Sequence, residues 1–377
     1  MLFAPFGQCA EWTVDPSVSA SLEVNDNIAL APTNPESVDS VLTSGSVVMA
    51  VENDTGRLGV SPGFRDRQSR RSNDLDRASQ YVNFDASQLF QWGGVGLDGG
   101  FRAESTLTSE LESTGFVEAD KRRNSLSVQP NVSYDLSEKR QLWARASYSS
   151  TDYQGEELTG LYDFDFRTVA TGVSQDLADD RQVGMSLSWS RERAPTQGTE
   201  TDNIALNAQY RSALSDRTTY SASLGARYTV QKLSVAGGDF DEDDAGGVYE
   251  LSVRSLVTNR SSVTLAVSQS LVPSGAGVLL EQYSGTLSYG HEFEERLRCS
   301  ASLGLLDTKS LGATRSPVDY ALARATVGAD WLLAEDWRLQ GSYIYSRRDD
   351  AVADTLAFSN AVIVTVSYEW PAYTWSR

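Results

Sequence analysis

The stretch Asn124–Ser150 constrains this chain most, because it is one complete structural module and the chain repeats it from end to end. Leu126, Val128, Pro130, Val132 and Tyr134 take alternate positions, with Ser125, Ser127, Gln129, Asn131 and Ser133 between them. Alternation of period two belongs to a strand with one apolar and one polar face. After the polar stretch Asp135–Arg140 the pattern resumes, with Leu142, Ala144, Ala146 and Tyr148 set against Arg145, Ser147 and Ser149, which makes a β-hairpin. Related turns recur at Asn53–Gly56, Trp92–Gly94, Leu177–Arg181, Leu214–Arg217, Thr258–Arg260, Phe293–Arg296 and Leu333–Arg338, roughly 36 to 46 residues apart. Such a series predicts about 18 strands, with about 16 as the alternative because two regions are poorly patterned.

The mean hydropathy is −0.34, and no apolar run approaches the ~18 residues that a membrane helix needs. A transmembrane barrel stays open at that polarity, because its lipid face uses only every second residue. A soluble β-sandwich alternates too. Against it stand the long strands, of which Trp12–Val24 is the first, and short turns on one side facing loops of roughly 8 to 17 residues on the other. The expected fold is therefore all-β, a transmembrane antiparallel up-and-down β-barrel in the bacterial outer membrane. Residues 11–370 form its single domain, residues 1–10 resemble the tail of a secretory signal, and residues 371–377 are a short C-terminal tail.

Particular expectations follow along the chain. Pro62 cannot donate to a ladder and predicts a bulge or bend. Asp66–Arg77 reads as a loop, as does the acidic run Asp239–Asp244. In the eighth strand Tyr162, Phe164 and Phe166 share one parity while Val169 and Val173 share the other, which predicts a bulge near Arg167. Trp12, Trp189, Tyr210, Tyr228, Trp331, Trp337, Tyr368 and Trp370 suit aromatic girdles at the two membrane interfaces. The last strand carries Val362, Val364, Val366, Tyr368 and Trp370 alternately and resembles the terminal strand that the barrel-assembly machinery reads. Outer-membrane lipid and lipopolysaccharide are the other expected partners, and Lys121–Arg123 reads as a headgroup or phosphate contact.

The plan as a whole resembles the outer-membrane β-barrel porin family associated with exopolysaccharide production, with Leu22-Glu23-Val24-Asn25-Asp26-Asn27-Ile28 as the local signature. That resemblance implies a pore for a secreted polysaccharide and contact with periplasmic polysaccharide-export proteins. A general small-solute diffusion porin is the alternative, and an outer-membrane enzyme or a surface adhesin are further classes. No stretch is long enough for a separate plug domain, which argues against a TonB-dependent transporter.

Little in the chain points to catalysis. His291 is the one histidine and sits beside a short turn without an accompanying motif, so it reads as an interfacial residue and no catalytic residue is assigned. Cys9 and Cys299 imply no disulfide framework. Asp239–Asp244 lacks the spacing of a calcium loop, no metal site is read and no cofactor is expected. A net charge of −19 argues against nucleic acid. The polar parity instead points Arg65, Arg102, Arg123, Arg145, Arg211, Arg227, Arg254, Arg298, Arg324 and Arg338 into the lumen, beside inward carboxylates at Asp15, Glu23, Glu52, Asp85, Asp98, Glu104, Glu192, Glu250, Asp330 and Glu369. Cross-strand ion pairs would cancel many of these charges. Arg145, Arg211, Arg227, Arg298 and Arg338 have few acidic neighbours on their faces, so one wall should be basic and suit carboxylates or phosphates of an anionic polymer.

Overall fold

The computed structural model describes residues 10–70, 77–106, 121–154, 161–235, 238–311 and 318–376. The expected signal remnant lies outside them except for Ala10, which is buried. In chain order the strands are β1 (Glu11–Asn25), β2 (Val38–Glu52), β3 (Gly56–Ser69), β4 (Arg77–Phe90), β5 (Gly93–Ser105), β6 (Arg122–Ser137), β7 (Arg140–Tyr153), β8 (Phe164–Ala178), β9 (Arg181–Ala194) and β10 (Thr199–Ser215). They continue as β11 (Thr218–Val235), β12 (Gly238–Thr258), β13 (Ser261–Pro273), β14 (Leu279–Glu294), β15 (Leu297–Ser310), β16 (Asp319–Leu332), β17 (Trp337–Asp350), β18 (Thr355–Glu369) and β19 (Tyr373–Ser376).

From β1 to β18 each strand pairs antiparallel with the next, and β1 closes the ring against β18 from Ser17↔Glu369 to Asn25↔Ala361. In lipid, an open sheet edge would strand unpaired N–H and C=O groups, so a sheet with this outer face must close. Below Ser17, β19 takes the place of β18 and pairs Glu11–Val14 with Tyr373–Ser376, so the ring has 18 positions. Tyr373–Ser376 of the C-terminal tail thus form a strand.

Because paired residues share a face, one assignment carries round the ring. Trp12, Val51, Leu58, Ala86 and Leu97 form one outward row, while Ser19, Ser44 and Arg65 form an inward row. Outward aromatics lie near both ends of the strands: Trp12, Tyr210, Trp331, Trp337, Tyr368 and Trp370 toward the short turns, Trp189 and Tyr228 toward the other end. From Trp337 to Tyr345 on β17 the strand climbs about 27 Å, or about 21 Å once tilted, close to the apolar band of outer-membrane barrels.

Several local expectations are corrected. No bulge occurs at Pro62: the ladder to β2 lapses at Val47 and Val48 and resumes in the same register, while Pro62↔Val82 stays paired on the other side. Nor is there one at Arg167, where the β7–β8 register runs unbroken from Arg140↔Gln175 to Thr151↔Phe164. Phe164 and Phe166 simply point inward, and Phe164 is buried with Tyr153, Leu161 and Ala194. β3 extends to Ser69, so Asp66 belongs to strand. The acidic run Asp239–Asp244 is strand as well, paired with Ser234–Thr229 of β11. From β1 to β18 the strands range from the 13 residues of β5 and β13 to the 21 of β12, and the connections 195–198, 274–278 and 351–354 are short although they lie on the long-loop side.

Five short turns share one device. A one-residue register shift falls between Asp135 and Ser137, Asp176 and Ala178, Ala213 and Ser215, Leu256 and Thr258, and Glu292 and Glu294. The residue left out of the ladder is Leu136, Leu177, Leu214, Val257 or Phe293, each more than half exposed at the rim.

Candidate functional site

Among the described residues, two chain segments turn from the long-loop end into the lumen. The first follows β1, where the side chains of Asn25, Asp26 and Asn27 do the fixing. Asn25 Oδ1 accepts from the Asn27 N–H (2.9 Å) and from Ser359 Oγ (2.9 Å), and the Asp26 carboxylate accepts from the Asn360 backbone and side-chain amides (2.7 Å each). Asn27 closes the turn by donating to the Ala31 and Phe358 carbonyls and accepting from the Ala31 N–H, all at 2.9 Å. Leu30, in the left-handed region at φ 49°, is then 1% exposed among Leu306, Leu322 and Ala357. The heptapeptide from Leu22 to Ile28 therefore rivets the barrel seam and turns the following chain inward.

Beneath this segment lies a cavity of about 400 Å³ lined by Glu23, Arg65, Arg67, Arg324, Gln340 and hydroxyls such as Ser44 and Thr365. Arg67 is neutralised by Glu23 at 2.9 Å. Arg65 has no carboxylate within 4.0 Å among the described residues, and Arg324 makes only a long bond to Ser346 Oγ (3.4 Å). Two guanidinium groups thus face the cavity with no compensating carboxylate beside them among the described residues.

The second segment is the β13–β14 tip, Leu271–Leu280. Pairing of β12 with β13 ends at Tyr249↔Gln269, above which β12 continues to Gly238 while β13 and β14 bend inward. Their former outer face now lies against the inner face of β9–β11. Arg227 donates to Glu281 (2.9 Å) and to Asp244 (2.7 Å), and Gln269 also donates to Glu281 (2.8 Å). Thr199 Oγ1 donates to the Gly277 carbonyl, and the Tyr162 N–H to that of Gly275 (2.8 Å). On the opposite side Ala276, Val278 and Leu280 pack with Val318 and Tyr320.

Under this tip sits Glu192, 2% exposed. Its outward neighbours Arg191 and Arg193 bind Asp202 and Glu200, so this level lies above the lipid band that Trp189 marks. The Ser274 N–H approaches the carboxyl, yet neither oxygen has a hydrogen-bond partner among the described residues. Burial pushes its pKa from 4.5 up to about 8, with a small opposing pull from that N–H.

The ten arginines divide accordingly. Arg102, Arg145, Arg211, Arg254 and Arg298 face inward and exposed, with no carboxylate within 4.0 Å among the described residues, and Arg211 and Arg254 line a second cavity near the short turns. Arg123 lies 3.6 Å from Glu104 and Arg338 lies 3.5 Å from Asp330, while Arg227 is locked under the tip. Arg123 thus faces the lumen rather than a lipid headgroup. His291 bonds Ser261 Oγ (2.7 Å) on the outer face between Tyr289 and Phe293, and no carboxylate bonds its ring among the described residues. Period-two alternation does not mark the tip; the signal that does is Leu271-Val272-Pro273-Ser274-Gly275-Ala276-Gly277-Val278-Leu279-Leu280, a ten-residue uncharged and largely apolar run.

No protein-family model matches the chain, and no curated protein matches it in sequence. Solved structures match it in shape. OccK2 (OpdF) of Pseudomonas aeruginosa in complex with glucuronate is 11% identical, with 96% of this chain and 98% of that one covered at a TM-score of 0.51. OpdK of the same organism with vanillate is 12% identical over 97% and 99%, also at 0.51. The copper transporter OprC is 11% identical over 99% and 67%, again at 0.51. These likenesses concern the fold. The chain is an outer-membrane β-barrel.

Proposed function

We propose that the barrel is a diffusion channel for small solutes, with a preference for anions. The observation that carries this reading is the inward face itself: a polar wall in which Arg65 and Arg324 meet an open cavity with no carboxylate within 4.0 Å among the described residues. Eighteen strands enclose more space than side chains fill, so water reaches these groups. A guanidinium fork suits a carboxylate, and its charge-assisted bonds contribute roughly 1.5–3 kcal/mol. Arg211 and Arg254 line the cavity near the opposite mouth together with Asp176, Asp179 and Asp180, so the Arg65 and Arg324 cavity is the anion station. Glucuronate and vanillate, the ligands of two barrels of similar shape, are both carboxylates. The polymer route implied by the family resemblance gains no such support, and two inward segments crowd the bore that a hydrated polymer would need.

Purified protein in a planar bilayer under a KCl gradient is expected to give a reversal potential of the sign for chloride preference. Replacing Arg65 and Arg324 together by Ala should move that potential toward zero. Cation preference in the unaltered protein would defeat the reading.

A further inference from the structure

The row of residues under the β13–β14 tip has an electrostatic peculiarity. Glu192 pairs across β10 with Thr201 and, through it, with Gln231 of β11. Thr201 is 1% exposed, and both amide atoms of Gln231 lack a partner among the described residues, as do both Glu192 oxygens. An ionised carboxylate in such a place has, among the described residues, neither a cation nor enough donors to offset its lost hydration. We propose that the β13–β14 tip is a gate whose closed state requires a neutral Glu192 side chain, so that ionising this carboxyl releases the tip from the β9–β11 wall and widens the channel. The inference rests on the channel reading above.

Among the described residues, no other charged side chain faces the carboxyl. On β8 the facing residue is Phe166, and Asp165 and Arg167 lie on the outer face. On β10, Thr201 and Asn203 face inward, while Glu200 and Asp202 face out and are held by Arg193 and Arg191. On β11, Gln231 and Thr229 are neutral, and Arg227 farther down already binds Asp244 and Glu281. The tip from Ser274 to Val278 has no titratable side chain. Tyr153 meets the tip at Gly275, and Asp163 is engaged by the Tyr153 N–H.

The direction follows by linkage. With the tip closed the carboxyl titrates at about 8, and once wetted it returns toward its ordinary 4.5. The open state therefore binds fewer protons across that window. The ratio of closed to open is highest below about pH 4.5, falls up to tenfold per pH unit until about pH 8, and is flat above.

In planar bilayers with the same buffer on both sides, conductance of the unaltered protein should rise several-fold between about pH 5 and about pH 8.5. E192Q keeps the shape and cannot ionise, so it should hold the low value at both. Equal conductance of the unaltered protein at both pH values, or a pH step that persists in E192Q, would overturn the gate. A second readout follows the tip directly, using S274C in a C9S/C299S background and a membrane-impermeant maleimide. At about pH 8.5 labelling should be several-fold faster with Glu192 than with E192Q, a comparison in which thiol ionisation cancels. Equal rates would also overturn the gate. Labelling that responds to Glu192 in a protein that never conducts would overturn the channel reading and leave tip release standing.

Discussion

Arg227 and Arg145 have the same inward parity and opposite fates. Arg145 stands exposed in the lumen, whereas Arg227 is 4% exposed and bonds carboxylates on β12 and β14. Removing one member of a buried ion pair leaves the other charge stranded. Because Asp244 is 44% exposed, the loss at R227M falls mainly on Glu281 and should be near the low end for such pairs, about 3 kcal/mol. That loss loosens the tip, so R227M is expected to conduct more than the unaltered protein at about pH 5, as single-channel recording would show. Alternation alone yields the direction of each arginine. The partner of Arg227 was not legible, since Glu281 lies 54 residues away and reaches it only after β14 bends inward.

Among elements, the strands were the readable part because a period of two needs no tertiary information. Their ends were less so. Asp239–Asp244 looked like loop on composition, yet the ladder to Thr229–Ser234 claims it. Pro62 cost two neighbouring pairings instead of shifting the register, since a shift would have turned every later side chain to the wrong face. The recurring apolar–acidic–Arg turns were recognised as turns, while their function of tipping a Leu, Val or Phe out at the rim needed the bulge geometry. The tip depends on Gly277, whose φ is +71° and where a side chain would run into Gln197 Oε1. A β-branched residue there costs about 1–3 kcal/mol in backbone strain before the collision is counted. G277V should therefore hold the tip away from the wall, giving high conductance at both about pH 5 and about pH 8.5 and removing the step between them.

At the scale of the whole molecule, closure depends on a seam with two parts. β18 seals the upper length of β1, and β19 seals Glu11–Val14, where Trp12 stacks on Trp375 at 6.1 Å between centroids. Deleting residues 371–377 would expose a four-residue edge and lose that stack. The expected cost is on the order of 3 kcal/mol from a few net hydrogen bonds and one aromatic pair. It would be read as a lower temperature at which the folded barrel loses its compact mobility in detergent gels, with conductance unchanged. The β13–β14 tip behaves differently, because β12 and β13 part company above Tyr249↔Gln269. On its other side β14 stays paired with β15 as far as Leu280↔Ser310, so a swing of the tip beyond Leu280 breaks side-chain contacts and a few loop hydrogen bonds, the Leu311 N–H to Leu279 carbonyl bond among them, and leaves the rungs below Leu280 in place. Position of the tip and integrity of the cylinder are thus independent coordinates: a door hung on a wall that is already split above the hinge can stand ajar while the wall withstands the same heat.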